Sequence, residues 1–121
     1  MNLTTKQLDL FRRNNATIVV LATADVSSRP RGIFVEVNQV DGDKIIITDN
    51  QMVKTKNNLL ENKNVFLLAF EDDYSYGLKI SGVAEYITDG EYFESIKNLE
   101  TNKNFVPKGA VVVNVREIAE F

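Results

Sequence analysis

Six runs of strand length, rich in β-branched and other apolar residues, are spaced along this chain and separated mostly by turn residues, and no other feature restricts the fold as much. The first, Thr17-Ile18-Val19-Val20-Leu21-Ala22-Thr23, is followed by a turn-rich stretch from Asp25 to Pro30 and reads as a buried strand. Residues 31–40 alternate imperfectly, with Ile33, Val35 and Val37 on one face and Phe34, Glu36 and Asn38 on the other. Asp41-Gly42 marks a hairpin, because a tight primed turn needs positive φ and these residue types reach it at least cost. The return strand is Lys44-Ile45-Ile46-Ile47-Thr48. Val65-Phe66-Leu67-Leu68-Ala69-Phe70 is apolar on both faces, so it is expected to be covered on both sides, inside a barrel or under a partner subunit. Residues 76–87 form a long strand with Gly77 and Gly82 as bend or bulge points, and Ala110-Val111-Val112-Val113-Asn114-Val115 is the last strand.

Helices are expected only at the start and in two connections. Thr4 and Gln7 have the spacing of a capping box, Leu3 and Leu8 that of a hydrophobic staple, and Asn14-Asn15 tolerates a left-handed exit, which predicts a helix over 5–13. A second short helix is expected over 54–62, after the loop at Asp49 to Val53. Thr88-Asp89-Gly90-Glu91 reads as another capping box, opening a helix whose buried stripe is Tyr92, Phe93, Ile96 and Leu99. Short strands joined mostly by turns favour a six-stranded antiparallel barrel with peripheral helices over a parallel βαβ sheet. No repeat or linker interrupts the 121 residues, so one domain over 1–121 is expected.

Composition removes much chemistry. With no Cys there is no disulfide or thiolate site, and a reducing cytoplasm is the expected location. With no His there is no histidine-ligated haem and no Ser-His-Asp or Cys-His device. Fourteen basic against 17 acidic residues, a formal charge of −3, supply no field for a phosphate backbone, so nucleic acid is not an expected partner. An oligonucleotide-binding barrel would also need basic and aromatic residues alternating along a strand pair, which the chain lacks. No apolar run is long enough to span a bilayer as a helix, so no membrane association is expected.

The informative stretch is Thr48-Asp49-Asn50-Gln51-Met52-Val53-Lys54-Thr55, a strand end feeding a helix start. A helix N-terminus offers unpaired N–H groups and partial positive charge, to which the Lys54 ammonium and Thr55 hydroxyl would add for a phosphate. A solvated lysine beside a capping residue is the commoner meaning of such a pair.

The order of strand, Asp-Gly hairpin, Ile-rich strand, Asp49-Asn50-x-Met52-x-Lys54-Thr55-x-x-Asn58-Leu59 and Asn62-Lys63-Asn64-Val65 resembles the FMN-binding split-barrel family related to pyridoxamine 5′-phosphate oxidase. It is most similar to the small dimeric FMN-binding and flavoredoxin-like proteins, and the stretch Gly77 to Gly90 resembles their long strand and following helix start. The resemblance implies a split barrel, Greek-key-like, binding FMN at a homodimer interface. Lys54 and Thr55 would hold the FMN phosphate, and Thr48, Asp49 and Asn50 would run along the isoalloxazine edge. Arg31, Gly32 and Ile33 would form the other wall, with Gly32 allowing close approach. Met52 would pack near the ribityl chain, where plain core is the commoner role of such a Met. Phe121 would cross to the partner's flavin, a frayed terminus being the plainer reading, and Tyr74 and Tyr76 would cap the ring or close a loop.

The chain lacks the Arg-x-x-x-Trp type C-terminal signature of true pyridoxamine-phosphate oxidases, so the resemblance does not carry that activity. It implies an FMN-dependent oxidoreductase or small electron carrier served by NAD(P)H or a redox partner protein, the flavin supplying the chemistry. A non-catalytic FMN store or sensor, or a relative holding a different flavin-like cofactor, are the alternatives.

Overall fold

The alternation in the sequence becomes the wall of a closed barrel in the computed structural model, which describes residues 2–11, 17–99, 102 and 104–121. Six strands, β1 (Thr17–Ala24), β2 (Pro30–Asp41), β3 (Lys44–Asp49), β4 (Asn64–Phe70), β5 (Gly77–Ile87) and β6 (Gly109–Glu120), pair antiparallel in the order β1-β2-β3-β6-β5-β4, and β4 closes on β1. Among the described residues three short α-helices lie outside the ladder: α1 (Thr5–Asp9), α2 (Lys54–Glu61) between β3 and β4, and α3 (Glu91–Lys97) between β5 and β6. This is the mainly β, six-stranded antiparallel barrel with peripheral helices that the strand spacing predicts. No helix among the described residues is long and apolar enough to cross a membrane.

Side chains alternate across a strand, so one residue in two faces the barrel interior. Val19 and Leu21 of β1, Ile45 and Ile47 of β3, Leu67 of β4, Leu78 and Ile80 of β5 and Val111 and Val113 of β6 are fully buried there. Burying each such side chain contributes roughly 1.5–3 kcal/mol against the entropy of ordering the chain. On the outer side of β3 and β6, Ile46, Ala110 and Val112 are buried under Phe93 and Ile96 of α3. The strands covered on both faces are therefore β3, where Ile45, Ile46 and Ile47 are all buried, and the first half of β6, where Ala110 to Val113 are.

The two-sided burial expected of residues 65–70 is not seen. Val65, Leu67 and Ala69 fill the interior, whereas Phe66 is exposed and Leu68 and Phe70 are half-buried on the outside. Beside them on the same face lie Val20, paired with both Phe34 and Leu68, and the exposed Ile18 and Phe34. The barrel supplies one cover and leaves the other face of β4 apolar and open.

Local signals mostly land where expected. The Thr4 capping box forms, with Thr4 Oγ1 accepting from the Gln7 N–H at 3.2 Å and Gln7 Oε1 accepting from the Thr4 N–H at 2.9 Å. The helix is shorter than 5–13, because i to i+3 bonds from Leu10 and Phe11 tighten the last turn. The Asn14-Asn15 exit lies outside the described residues. Of the Asp41-Gly42 pair, only Gly42 takes positive φ (61°), at the first central position of a turn whose ends, Asp41 and Lys44, still pair. The second capping box does not form: Gly90, at φ 93°, precedes α3 without a side-chain cap, and Glu91 and Glu94 complement the N-terminal dipole instead. The last strand runs to Glu120, well past Val115. Its apolar run stops there, but the ladder with β5 continues after Arg116 is left as an extra residue opposite the Ser81-to-Gly82 step.

One break in the wall positions the site. The β2–β3 ladder covers only Val37 to Asp41, so residues 30–36 pair with β1 and have no strand on their other edge. Backbone groups on such an edge need water or another partner.

Candidate functional site

The break opens a cavity of about 640 Å³ between the free edge of β2 and the segment joining β3 to α2. Of the residues predicted for a site, Arg31, Ile33, Thr48, Asn50, Met52, Lys54 and Thr55 line it together. Residues far apart in sequence meet here because β3 delivers residues 48–49 to the end of the ladder and the chain turns at once into α2.

Asp49 makes that turn. It is fully buried, its Oδ1 accepts from the Met52 N–H at 2.7 Å, and its Oδ2 accepts from the Tyr86 hydroxyl. Both carboxylate oxygens are thereby committed inside the protein, and Asp49 is not part of the cavity wall. The Tyr86 ring packs on Gly109, where a Cβ would come within 2.6 Å of it. Burial first, then the hydrogen bond to Asp49 and its charge, push the Tyr86 phenol far above its ordinary value of 10.0.

A phenol that ionises later folded than unfolded contributes its full stability below about pH 10 and loses it as pH rises through the folded value. Unfolding free energy from denaturant titration is therefore expected to fall above about pH 10. Tyr86→Phe should make that fall shallower without removing it, since burial and then Glu120 push Tyr76 up to about 12. Equal slopes in the variant and the parent would reject this account.

At the α2 end, Val53 stands at the cap position without a side-chain cap hydrogen bond. Lys54 is exposed at the cavity and Thr55 is buried against it. Arg31 faces the same end, and among the described residues no carboxylate pairs with Arg31 or Lys54. Uncapped N–H groups, two unneutralised cations and a hydroxyl form a setting for an anion. Asn58, the last polar member of the Met52-x-Lys54-Thr55 spacing, donates to Thr23 Oγ1 at 3.1 Å and ties α2 to β1.

The opposite end is lined by amides and a hydroxyl, the carboxylate of Glu36 also lines the cavity, and sequence reading missed part of this end. Asn38 and Asn102 line the cavity beside Thr48 and Asn50, with Phe105 near them. Asn38 Oδ1 accepts from the Thr48 N–H at 2.9 Å and from its hydroxyl at 2.7 Å. Asn102 Nδ2 donates to Thr48 Oγ1 at 3.0 Å, and its Oδ1 accepts from Asn50 Nδ2 at 3.3 Å. Asn50 Oδ1 is shut off from solvent, and among the described residues no group donates to it. Asn38 carried a signal in the imperfect alternation of residues 31–40, but Asn102, in a loop after α3, carried none.

Gly32 and Phe121 are not in the wall. Gly32 lies between two lining residues on the opposite face of β2, where a Cβ would meet only Val20 at 3.6 Å. Phe121 is bonded to Gly77 through both backbone groups, and its ring lies over that glycine. Tyr74 and Tyr76 do not line the cavity either: Tyr74 stacks near Phe70 at 5.7 Å and Tyr76 donates to Glu120. Among the described residues no group of three His, Cys, Asp or Glu side chains is placed to hold a metal ion.

The sequence profile of the pyridoxamine 5′-phosphate oxidase family matches residues 4–121. A protein of Methanocaldococcus jannaschii is 36% identical over 107 residues, which span 84% of this chain and 70% of that one. Among solved structures, HupZ of Group A Streptococcus superposes with a TM-score of 0.87 at 22% identity, over 98% of this chain and 94% of its own. An FMN-binding protein from Syntrophomonas wolfei gives 0.78 at 23% identity, over 95% and 83% of the two chains. An F420 reductase gives 0.74 at 16% identity, over 97% and 98%. At these identities the solved structures speak for the barrel, whereas the profile and the archaeal relative speak for descent: the chain belongs to the pyridoxamine 5′-phosphate oxidase family.

Proposed function

We propose that this protein binds FMN in the cavity beside α2 and works as an oxidoreductase or small electron carrier. The observation that carries the reading is the cavity's polarity: uncapped helix N–H groups with Lys54, Thr55 and Arg31 at one end, and the partnerless acceptor Asn50 Oδ1 at the other. The first end suits a phosphate and the second suits a heterocycle with an N–H donor, so the residues present fit FMN. Thr55, Lys54 and the α2 amides would hold the phosphate, and Met52 and Ile33 would flank the sugar chain and ring. Thr48 and Asn50 would run along the ring's polar edge. When bound, FMN supplies hydride or electron transfer, and the protein binds, orients and excludes water. The likeness to an FMN-binding protein and to an F420 reductase agrees with a redox role for this fold.

The second part of the reading is a homodimer that completes the site. Ile18, Val20, Phe34 and Phe66 make an apolar face too continuous for scattered surface residues. Phe34 belongs both to that face and to the cavity wall, so a second copy seated there would reach the cavity. Phe121, bonded to Gly77 on the same outer side as Phe70, would be the residue that crosses to the partner. NAD(P)H or a redox partner protein would then supply electrons, in the cytoplasm.

The freshly purified protein is expected to be yellow, to elute at twice its 13.7 kDa chain mass, and to release FMN on acid treatment. Bleaching by NAD(P)H would mark a reductase; bleaching only by a redox protein would mark a carrier. A colourless protein that takes up no added FMN would overturn the reading, and release of another flavin-like molecule would change the cofactor while keeping the site.

A further inference from the structure

Three side-chain amides, Asn38, Asn50 and Asn102, border one end of the cavity. The two ends of an amide match in shape and differ in hydrogen bonding, so their sense must be set by a neighbour that can only donate or only accept. The Ile96 carbonyl only accepts, which makes the Asn102 atom 2.8 Å from it Nδ2. Asn102 Oδ1 is then the end that meets Asn50, and it takes the Asn50 Nδ2–H at 3.3 Å. What remains of Asn50 is Oδ1, an acceptor sealed from water and without a donor. Thr48 enforces the same sense: its N–H and hydroxyl both donate to Asn38 Oδ1, so its oxygen is left to accept from Asn102 Nδ2.

We propose that Asn102 is a positioning residue which, by holding the Asn50 amide in one sense, makes this end of the cavity select a ring edge that donates a hydrogen bond. The ligand chemistry is an imide N–H flanked by carbonyls. This rests on the flavin reading, because the pyrimidine edge of a flavin carries such an N–H. Asn50 touches the ring, and Asn102 acts only through Asn50. Discrimination comes from the bond gained: Oδ1 has neither water nor a donor in the free protein, so a ring edge that donates gains a hydrogen bond there and one without the donor gains none.

The test compares the affinities of FMN and of FMN methylated on that imide nitrogen, by fluorescence titration of the full chain. The parent protein should prefer FMN by about ten-fold or more. Asn50→Ala and Asn102→Ala should both bring the two affinities to within about three-fold of each other, the second without removing any atom of Asn50. Should Asn102→Ala not fold, Asn102→Ser asks the same question, since a hydroxyl can donate to Asn50 and release its sense. Equal affinities in the parent overturn the proposal and leave the flavin reading intact. Undiminished preference in the Asn102 variant overturns the positioning role. A parent that takes up neither compound overturns the flavin reading, and this proposal with it.

Discussion

Removing the Lys54 ammonium and the Thr55 hydroxyl together, as Lys54→Ala with Thr55→Val, is expected to weaken FMN binding by about a hundred-fold or more. A hydrogen bond to a charged group contributes about 1.5–3 kcal/mol, and each 1.4 kcal/mol is ten-fold in affinity. Lys54 is exposed, so its share lies at the low end, whereas Thr55 is 3% exposed and its share is less diluted by water. Valine keeps the buried shape of Thr55, so the variant should unfold close to where the parent does. The loss should be specific to the phosphate: riboflavin, which lacks it, should bind both proteins alike. Calorimetric titration with the two ligands separates the cases. An unchanged FMN affinity, or an equal loss for riboflavin, would mean that the α2 end does not hold the phosphate.

Asp49→Ala is expected to cost about 3 kcal/mol of folding stability. The carboxylate is fully buried and both its oxygens are used, one by the Met52 N–H and one by the Tyr86 hydroxyl. Alanine leaves two half-buried donors without their acceptor, each costing about 1–3 kcal/mol, with water offsetting part of it. Against a typical total of 5–15 kcal/mol that is a large fraction. Asp49→Asn retains one acceptor and should fall between the two. The contacts also predict coupling: Tyr86→Phe should cost less in the Asp49→Ala background than alone, since its partner is already gone. Denaturant unfolding of the four proteins measures this, and a loss below about 1 kcal/mol for Asp49→Ala would show that the turn does not depend on the carboxylate.

These two outcomes divide a stretch that looked uniform in sequence. Thr48-Asp49-Asn50 read as a continuous ring-side edge, yet alternation at the end of β3 leaves Thr48 and Asn50 at the cavity and turns Asp49 inward to Tyr86, from a strand whose β6 partner is itself paired with β3. The α2 end was legible as far as Asp49 to Thr55, which lie within one turn and one helix start, whereas Arg31 joins it from β2. The amide end was only half legible. Asn102 reaches Thr48 from beyond α3, and Phe105 joins the wall from the same loop.

The apolar run 65–70 shows the same boundary. Its two-faced composition stated that both faces meet something apolar, but covering of β3 by α3 and exposure of β4 depend on which strand each connection crosses. The sequence by itself determined the strands, the Asp41-Gly42 hairpin, the first helix cap and the strand-to-helix turn at Lys54-Thr55. Each of these is set by side-chain period or backbone dihedrals within a few residues. Tertiary structure alone decided the strand order, the free edge of β2, the inward turn of Asp49 and the sense of the Asn50 amide. Those depend on groups brought together by barrel closure, and neither periodicity nor dihedral preference encodes which distant partner a hydrogen bond will find.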